Sequence, residues 1–114
     1  MTTLYGIKNC DTVKKARKWL DEHGVDYRFH DFRADGLEAK QLDAWIRAVG
    51  WETLLNRRGT TWRKLAEDVR EGIDKQRAAA LMLEQPTLIK RPVVEHGKQV
   101  IVGFDLDTYQ RNLS

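Results

Sequence analysis

The pattern of apolar and polar residues at the start of the chain predicts a strand followed by a helix. Residues 2–6 are partly β-branched and aromatic and end at a glycine, as short strands do. Apolar side chains then recur at helical spacing over residues 13–23, which indicates a helix of about a dozen residues. We expect Asp11 or Thr12 to cap the start of this helix, and Gly24 to follow its end.

Strict alternation over residues 25–32 predicts a second strand, and residues 33–36 have the polar character of a loop. A strand, a helix and a strand joined by short connections form a βαβ unit with parallel strands. Cys10 then lies at the carboxyl end of the first strand, the edge at which open α/β sheets bind their ligands.

The middle of the chain, residues 37 to about 85, carries helical patterns only. One apolar stripe ends at Gly50, and a further turn of helix is expected after it. Thr60 or Thr61 is a candidate cap for a short helix, and Asp74 is a candidate cap for a helix that runs to Glu84. We interpret this section as a helical insertion.

After Pro86, which cannot continue a helix, the pattern changes back to strands. We predict an extended segment over residues 87–92, a hairpin over residues 93–102 and a terminal helix capped by Asp105 or Asp107. The predicted order is therefore that of an α/β protein with the thioredoxin-like plan, in which a four-stranded mixed sheet carries a helical insertion after its second strand. We assign residues 1–114 to one domain.

Composition narrows the class of protein. The 114 residues carry 20 Lys and Arg against 17 Asp and Glu, and this small excess is intermixed along the chain, so we predict no direct binding of nucleic acid. No apolar run approaches a membrane span and no signal peptide is recognisable, so we expect a cytoplasmic protein. Its single cysteine excludes an internal disulfide, and three scattered histidines lack metal-ligand spacing, so we predict no metal.

Cys10 is the main candidate for chemistry. A thiol at the N-terminus of a helix meets unpaired N–H groups and the positive end of the helix dipole, and both favour the nucleophilic thiolate. Lys8 and Lys14 add positive charge, whereas Asp11 opposes the thiolate. The alternative is a small buried hydrophobic residue, which is what many free cysteines are.

Four motifs in order along the chain resemble the arsenate reductase (ArsC) family, which includes the YffB proteins and the Spx regulators. They are KNCDT at residues 8–12, LLNRR at 54–58, PTLIKRPVV at 86–94 and VGF at 102–104. The sequence GIKNCDTVKKA at residues 6–16 is most similar to the YffB branch.

The resemblance implies a nucleophilic cysteine at Cys10, a nearby arginine at Arg91 and a cis peptide bond before Pro92. Arsenate reductases of this class have three arginines around the cysteine, but Asn56 and Gly103 stand at two of those positions here. Arg57 and Arg58 are candidates to replace one of them. Spx regulators carry a second cysteine three residues after the first, where this chain has Val13, so an internal disulfide switch is excluded.

We predict a monothiol oxidoreductase that binds no cofactor, takes glutathione as co-substrate and acts as a monomer on a small thiol or disulfide. Cys10 is the predicted catalytic residue, and the predicted substrate-binding residues are Lys8, Asn9, Asp11, Thr12, Arg57, Arg58, Arg91 and Pro92. Asn9 and the N–H groups of Asp11 and Thr12 are expected to bond the sulfur. The alternatives are a non-enzymatic, Spx-like module that binds a protein such as RNA polymerase, and an arsenate reductase.

Overall fold

The fold contains a four-stranded mixed sheet. The computed structural model describes residues 1–113. The strands of the sheet are β1 (Thr2–Gly6), β2 (Arg28–Asp31), β3 (Val93–His96) and β4 (Gln99–Val102). They lie in the order β2-β1-β3-β4. The central strand β1 pairs in parallel with β2 and antiparallel with β3, and β3 pairs antiparallel with β4. The βαβ unit with parallel strands and the hairpin, both predicted from the sequence, are confirmed.

Helices occupy much of the remaining chain. In chain order they are α1 (Asp11–Glu22), α2 (Phe32–Asp35), α3 (Ala39–Val49), α4 (Trp51–Leu54), α5 (Thr60–Arg63), α6 (Glu67–Glu71), α7 (Lys75–Glu84) and α8 (Leu106–Leu113), with a 3₁₀ turn at Pro86–Leu88. The fold class is the predicted one, an α/β thioredoxin-like fold with a helical section after the second strand. Within residues 1–113, no helix has the length and apolar character needed to cross a membrane.

The described chain separates into two compact units. Met1–Gly36 and the segment that begins at Arg91 form the sheet unit, and Leu37–Lys90 forms the helical unit. The helical unit corresponds to the predicted helical insertion, but it ends at Lys90 instead of near residue 85. The assignment of both units to a single domain stays a prediction.

One face of the sheet packs against α1 and α8. The buried cluster there consists of Leu4, Val13, Ala16, Trp19, Leu20, Val94, Ile101, Tyr109 and Leu113. Residues 4, 94 and 101 come from three adjacent strands and point to the same face, because side chains alternate along a strand. This cluster anchors the N-terminus of α1 at the carboxyl end of β1.

Three local predictions are wrong in informative ways. The second strand begins only at Arg28, and residues 32–35 form α2 instead of a loop. Asp31 explains the early helix, because its Oδ1 accepts the N–H of Arg33 at 2.8 Å while Asp35 Oδ2 accepts the N–H of Asp31 at 3.2 Å. The segment after Pro86 begins with the 3₁₀ turn instead of an extended chain.

In the helical unit, α3, α4 and α7 pack on one another around Trp45 and Met82, which are fully buried. The cap predicted at Asp74 is confirmed, since its Oδ1 accepts the N–H of Arg77 at 2.9 Å. The cap predicted at Thr60 or Thr61 is wrong. Gly59 is the N-cap of α5 and provides no side chain for the purpose.

Candidate functional site

Cys10 occupies the N-cap position of α1. The turn that leads to it is closed by the N–H of Cys10, which donates to the carbonyl of Ile7 at 3.2 Å. Its backbone is extended (φ −94°, ψ 124°), and its carbonyl accepts the N–H of Lys14 as the first hydrogen bond of the helix. The predicted cap at Asp11 or Thr12 is therefore wrong, because Asp11 already has helical backbone geometry.

The N-cap position determines which backbone groups meet the sulfur. An N-cap side chain faces the N–H groups of the second and third helical residues, which are Thr12 and Val13 here. Both N–H groups act on the Cys10 sulfur and stabilise its thiolate. Thr12 was predicted for this role, but Val13 was missed in favour of Asp11. The capping rule identifies Val13 as soon as the helix start is known.

Arg91 is the charged side chain that acts on Cys10. It precedes Pro92 through a cis peptide bond, as the family resemblance predicted. The guanidinium of the half-buried Arg91 hydrogen-bonds the sulfur and also attracts the thiolate charge. Arg91, which is 81 positions further along the chain than Cys10, thus lies beside the start of α1 within the sheet unit.

The pKa of the Cys10 thiol reflects opposed effects. Burial of the half-exposed side chain is the largest single effect and raises the pKa, because it disfavours the charged thiolate. The N–H of Val13, the hydrogen bond and charge of Arg91, and the N–H of Thr12 together outweigh it. The pKa of Cys10 therefore lies below that of an ordinary thiol, and the residue is partly exposed.

The other predicted residues of the turn are exposed. Lys8 and Asn9 form the turn before Cys10, and Asp11 and Thr12 begin α1. Pro92 is buried, and its carbonyl accepts the N–H of Gly103 at 2.8 Å. Lys8, Asn9, Asp11 and Thr12 flank Cys10 along the chain, and the contact predicted between a substrate and these residues or Pro92 stays a prediction.

Arg57 and Arg58 belong to the helical unit and have different surroundings. The Arg57 guanidinium lies over the rings of Trp51 and Trp62, 5.9 and 5.6 Å from their centroids. The N–H of Arg58 donates to Asn56 Oδ1 at 3.2 Å, which fixes the basic turn. Their role in substrate binding stays a prediction.

Metal-ligating side chains are dispersed. Within residues 1–113, His, Cys, Asp and Glu form no group of three that could hold a metal ion. The groups that act on the Cys10 thiol are one guanidinium and two backbone N–H groups, and together they favour the thiolate.

Comparison with known proteins places these features in a family. A sequence model of the ArsC family matches residues 5–112. The chain is 52% identical to a YFFB protein of known structure, with a TM-score of 0.96 and full coverage of both chains. It is 55% identical to an arsenate reductase (ArsC) related protein from Brucella melitensis, with a TM-score of 0.80 over 96% of this chain and 92% of that one.

A regulator is also among the relatives. The global transcriptional regulator Spx of Enterococcus faecalis is 31% identical over 115 residues, which cover 99% of this chain and 86% of the regulator. The chain is thus related both to arsenate reductases and to Spx regulators. With its cysteine at the start of α1, its arginine before a cis-proline and a family match over nearly its whole length, the chain belongs to the ArsC family.

Proposed function

We propose that the protein is a glutathione-dependent monothiol oxidoreductase that acts in the cytoplasm with Cys10 as its nucleophile. The observation that carries this proposal is the environment of Cys10, a partly exposed residue whose thiolate is stabilised by Arg91 and by two N–H groups of α1. Thiolates, not thiols, attack disulfides. The similarity to an arsenate reductase related protein supports thiol-based redox chemistry.

The single cysteine determines the form of the reaction. The Cys10 thiolate attacks the glutathione sulfur of a mixed disulfide R–S–S–G, which forms Cys10–S–S–G and releases R–S⁻, and water protonates the latter. Because the chain has no second cysteine to resolve this intermediate, a second glutathione thiolate attacks it. The products are oxidised glutathione and the regenerated Cys10 thiolate, so the substrate is reduced and glutathione is oxidised.

The residues around Cys10 have distinct roles in this scheme. Arg91 stabilises the attacking thiolate and, as the Cys10–glutathione disulfide is cleaved, the departing one. Its charge and those of Lys8 and Lys14 attract the carboxylates of glutathione. Asn9, Asp11 and Thr12 form the exposed surface on which the tripeptide binds, and the buried Pro92 supports the segment that carries Arg91.

The experiment is a turnover assay with the mixed disulfide of glutathione and mercaptoethanol, in which the formation of oxidised glutathione is followed. We expect turnover by the wild type, a glutathione adduct on Cys10 in the intact mass spectrum, and loss of both in Cys10→Ser. An unmodified wild-type protein without turnover would overturn the proposal.

A second candidate function rests on the similarity to Spx. A non-enzymatic module would bind a protein partner, and RNA polymerase is the partner to test because the relative is a transcriptional regulator. In that case the wild type binds the polymerase in a pull-down with purified components, and Cys10→Ser binds equally well. Arsenate reduction is the third possibility, and it is tested by adding arsenate and glutathione in place of the mixed disulfide.

A further inference from the structure

The connection between β4 and α8 is tied to the segment that carries Arg91. Gly103 begins this connection, and its N–H donates to the carbonyl of Pro92 at 2.8 Å. The carbonyl of Gly103 accepts the hydroxyl of Tyr109 at 2.9 Å. Gly103 has a φ of +86°, a backbone conformation that glycine adopts without strain. Both polar groups of one residue are therefore used, one toward Pro92 and one toward Tyr109.

The Tyr109 side chain is held in place by its neighbours in the core. It projects from α8 and is fully buried in the core cluster that also contains residues of α1. The rings of Trp19 and Phe104 contact it edge-on, with centroid distances of 5.5 and 4.9 Å. These two contacts fix the plane of the ring, and the hydroxyl therefore has a defined position.

These contacts form a continuous path from the core to the cysteine. It runs from the Tyr109 hydroxyl to Gly103, from Gly103 to the Pro92 carbonyl, and from the neighbouring Arg91 to the Cys10 sulfur. We propose that Tyr109 is a positioning residue that holds Arg91 against Cys10 by way of Gly103 and Pro92. In this path the Tyr109 hydroxyl acts on the arginine, by way of the backbone of Gly103 and Pro92. The inference deepens the proposed function, because it concerns the same nucleophile.

Tyr109→Phe tests the proposal because it removes the hydroxyl and keeps the ring. The readout is the rate of Cys10 alkylation by iodoacetamide as a function of pH, without glutathione. The charged side chain that acts on Cys10 is Arg91, and the charged residues beside Cys10 along the chain are the exposed Lys8, Asp11 and Lys14. The substitution changes none of them. We expect the thiol pKa to rise and the rate below that pKa to fall by about two- to tenfold, the effect of one ordinary hydrogen bond.

Tyr5→Phe is the matched control. Tyr5 is also a buried tyrosine of the sheet unit, and its hydroxyl donates to Glu95 Oε1 at 2.8 Å. It lies next to Leu4 in β1 and therefore points to the opposite face of the sheet. A structural loss common to buried tyrosine hydroxyls would affect both variants, whereas the proposal predicts a change in the Cys10 pKa for Tyr109→Phe only.

Two results of the alkylation measurements would overturn the proposal. One is a thiol pKa in Tyr109→Phe equal to that of the wild type or of Tyr5→Phe. The other is an unchanged thiol pKa in Arg91→Ala, because then there is no effective contact for Tyr109 to position. Amide exchange of Gly103 provides a second measurement, since its N–H should exchange faster in folded Tyr109→Phe, and equal exchange would contradict the proposed path.

Failure of this inference and failure of the proposed function are distinguishable. A lowered thiol pKa that depends on Tyr109, in a wild type without glutathione turnover, supports the positioning role and overturns the oxidoreductase proposal. Normal turnover in the wild type with an unchanged thiol pKa in Tyr109→Phe supports the oxidoreductase proposal and overturns the positioning role of Tyr109.

Discussion

At the scale of single residues, the pKa of the Cys10 thiol results from two opposed effects. Burial raises this pKa, and hydrogen-bond donors lower it. Burial alone would favour the neutral thiol, and free cysteines in a core remain in that form. Here Val13 and Thr12 provide backbone donors and Arg91 provides a charged one. Because the backbone donors are inherent to the helix start, Arg91 is the component that substitution can remove.

Substitution of Arg91 should therefore separate its charge from its hydrogen bond. Arg91→Ala removes both, so we expect the pKa of Cys10 to rise, while Arg91→Lys keeps the charge and should give a smaller rise. Alkylation rates between pH 5 and 10 measure both variants. Lys90→Ala is the control, since Lys90 is the exposed neighbour, and an equal shift in that variant would argue against a specific role of Arg91.

At the scale of elements, β1 and α1 approach each other closely just before and after Cys10. Gly6 ends β1, and a methyl group added to it would lie 2.7 Å from Cγ2 of the fully buried Val13. A glycine at residue 6 thus allows the first turn of α1 to pack against the strand end. The same turn presents the N–H groups of Thr12 and Val13 to the sulfur.

Gly6→Ala should consequently affect both stability and the cysteine. The added methyl group displaces Val13, which we expect to lower the free energy of unfolding by about 1–3 kcal/mol, as overpacking does. The displaced helix start should also raise the pKa of Cys10. Urea denaturation and alkylation rates measure the two effects.

The double variant Gly6→Ala with Val13→Ala provides the control for that steric argument. Removing the Val13 methyl groups makes room for the new one, so the two substitutions together should cost less than the sum of their separate effects. Strict additivity would show that the close approach of residue 6 to residue 13 is not the cause.

At the scale of the whole molecule, residues distant along the chain meet in the sheet unit. Its core combines β1, α1, β3, β4 and α8, and Tyr109 is among its fully buried members. Burial raises the pKa of the Tyr109 hydroxyl well above its ordinary value of 10.0. The native core therefore holds this hydroxyl in its neutral form, whereas the unfolded chain ionises it more readily.

Stability at high pH should depend on this tyrosine. Because its pKa is raised in the folded state, its contribution is complete below pH 10.0 and is lost as the pH rises toward the folded pKa. Over that interval the stability difference between wild type and Tyr109→Phe should shrink by about 1.4 kcal/mol per pH unit. Urea denaturation at several pH values measures this difference, and a constant difference would contradict the burial argument.

The sequence by itself determined the local elements that have strong patterns and the position of the cysteine between β1 and α1. The β-branched and aromatic content of β1, the hairpin, the helical spacing of α1 and α3, and the Asp74 cap depend on neighbours within a few residues, so they were predictable. The early helix α2 was missed because the capping by Asp31 competes with strand extension, and the pattern alone does not show which prevails. The four motifs supplied the family and the cis bond at Pro92.

Only the tertiary structure decided which groups meet the sulfur. Val13 was identified only once Cys10, and not Asp11 or Thr12, proved to be the N-cap, because the N-cap position determines which backbone N–H groups meet its side chain. The path from Tyr109 through Gly103 to Pro92 joins residues that share no sequence pattern. Such contacts arise from the pairing of strands and the packing of α8, and these depend on the whole chain instead of on any short stretch of it.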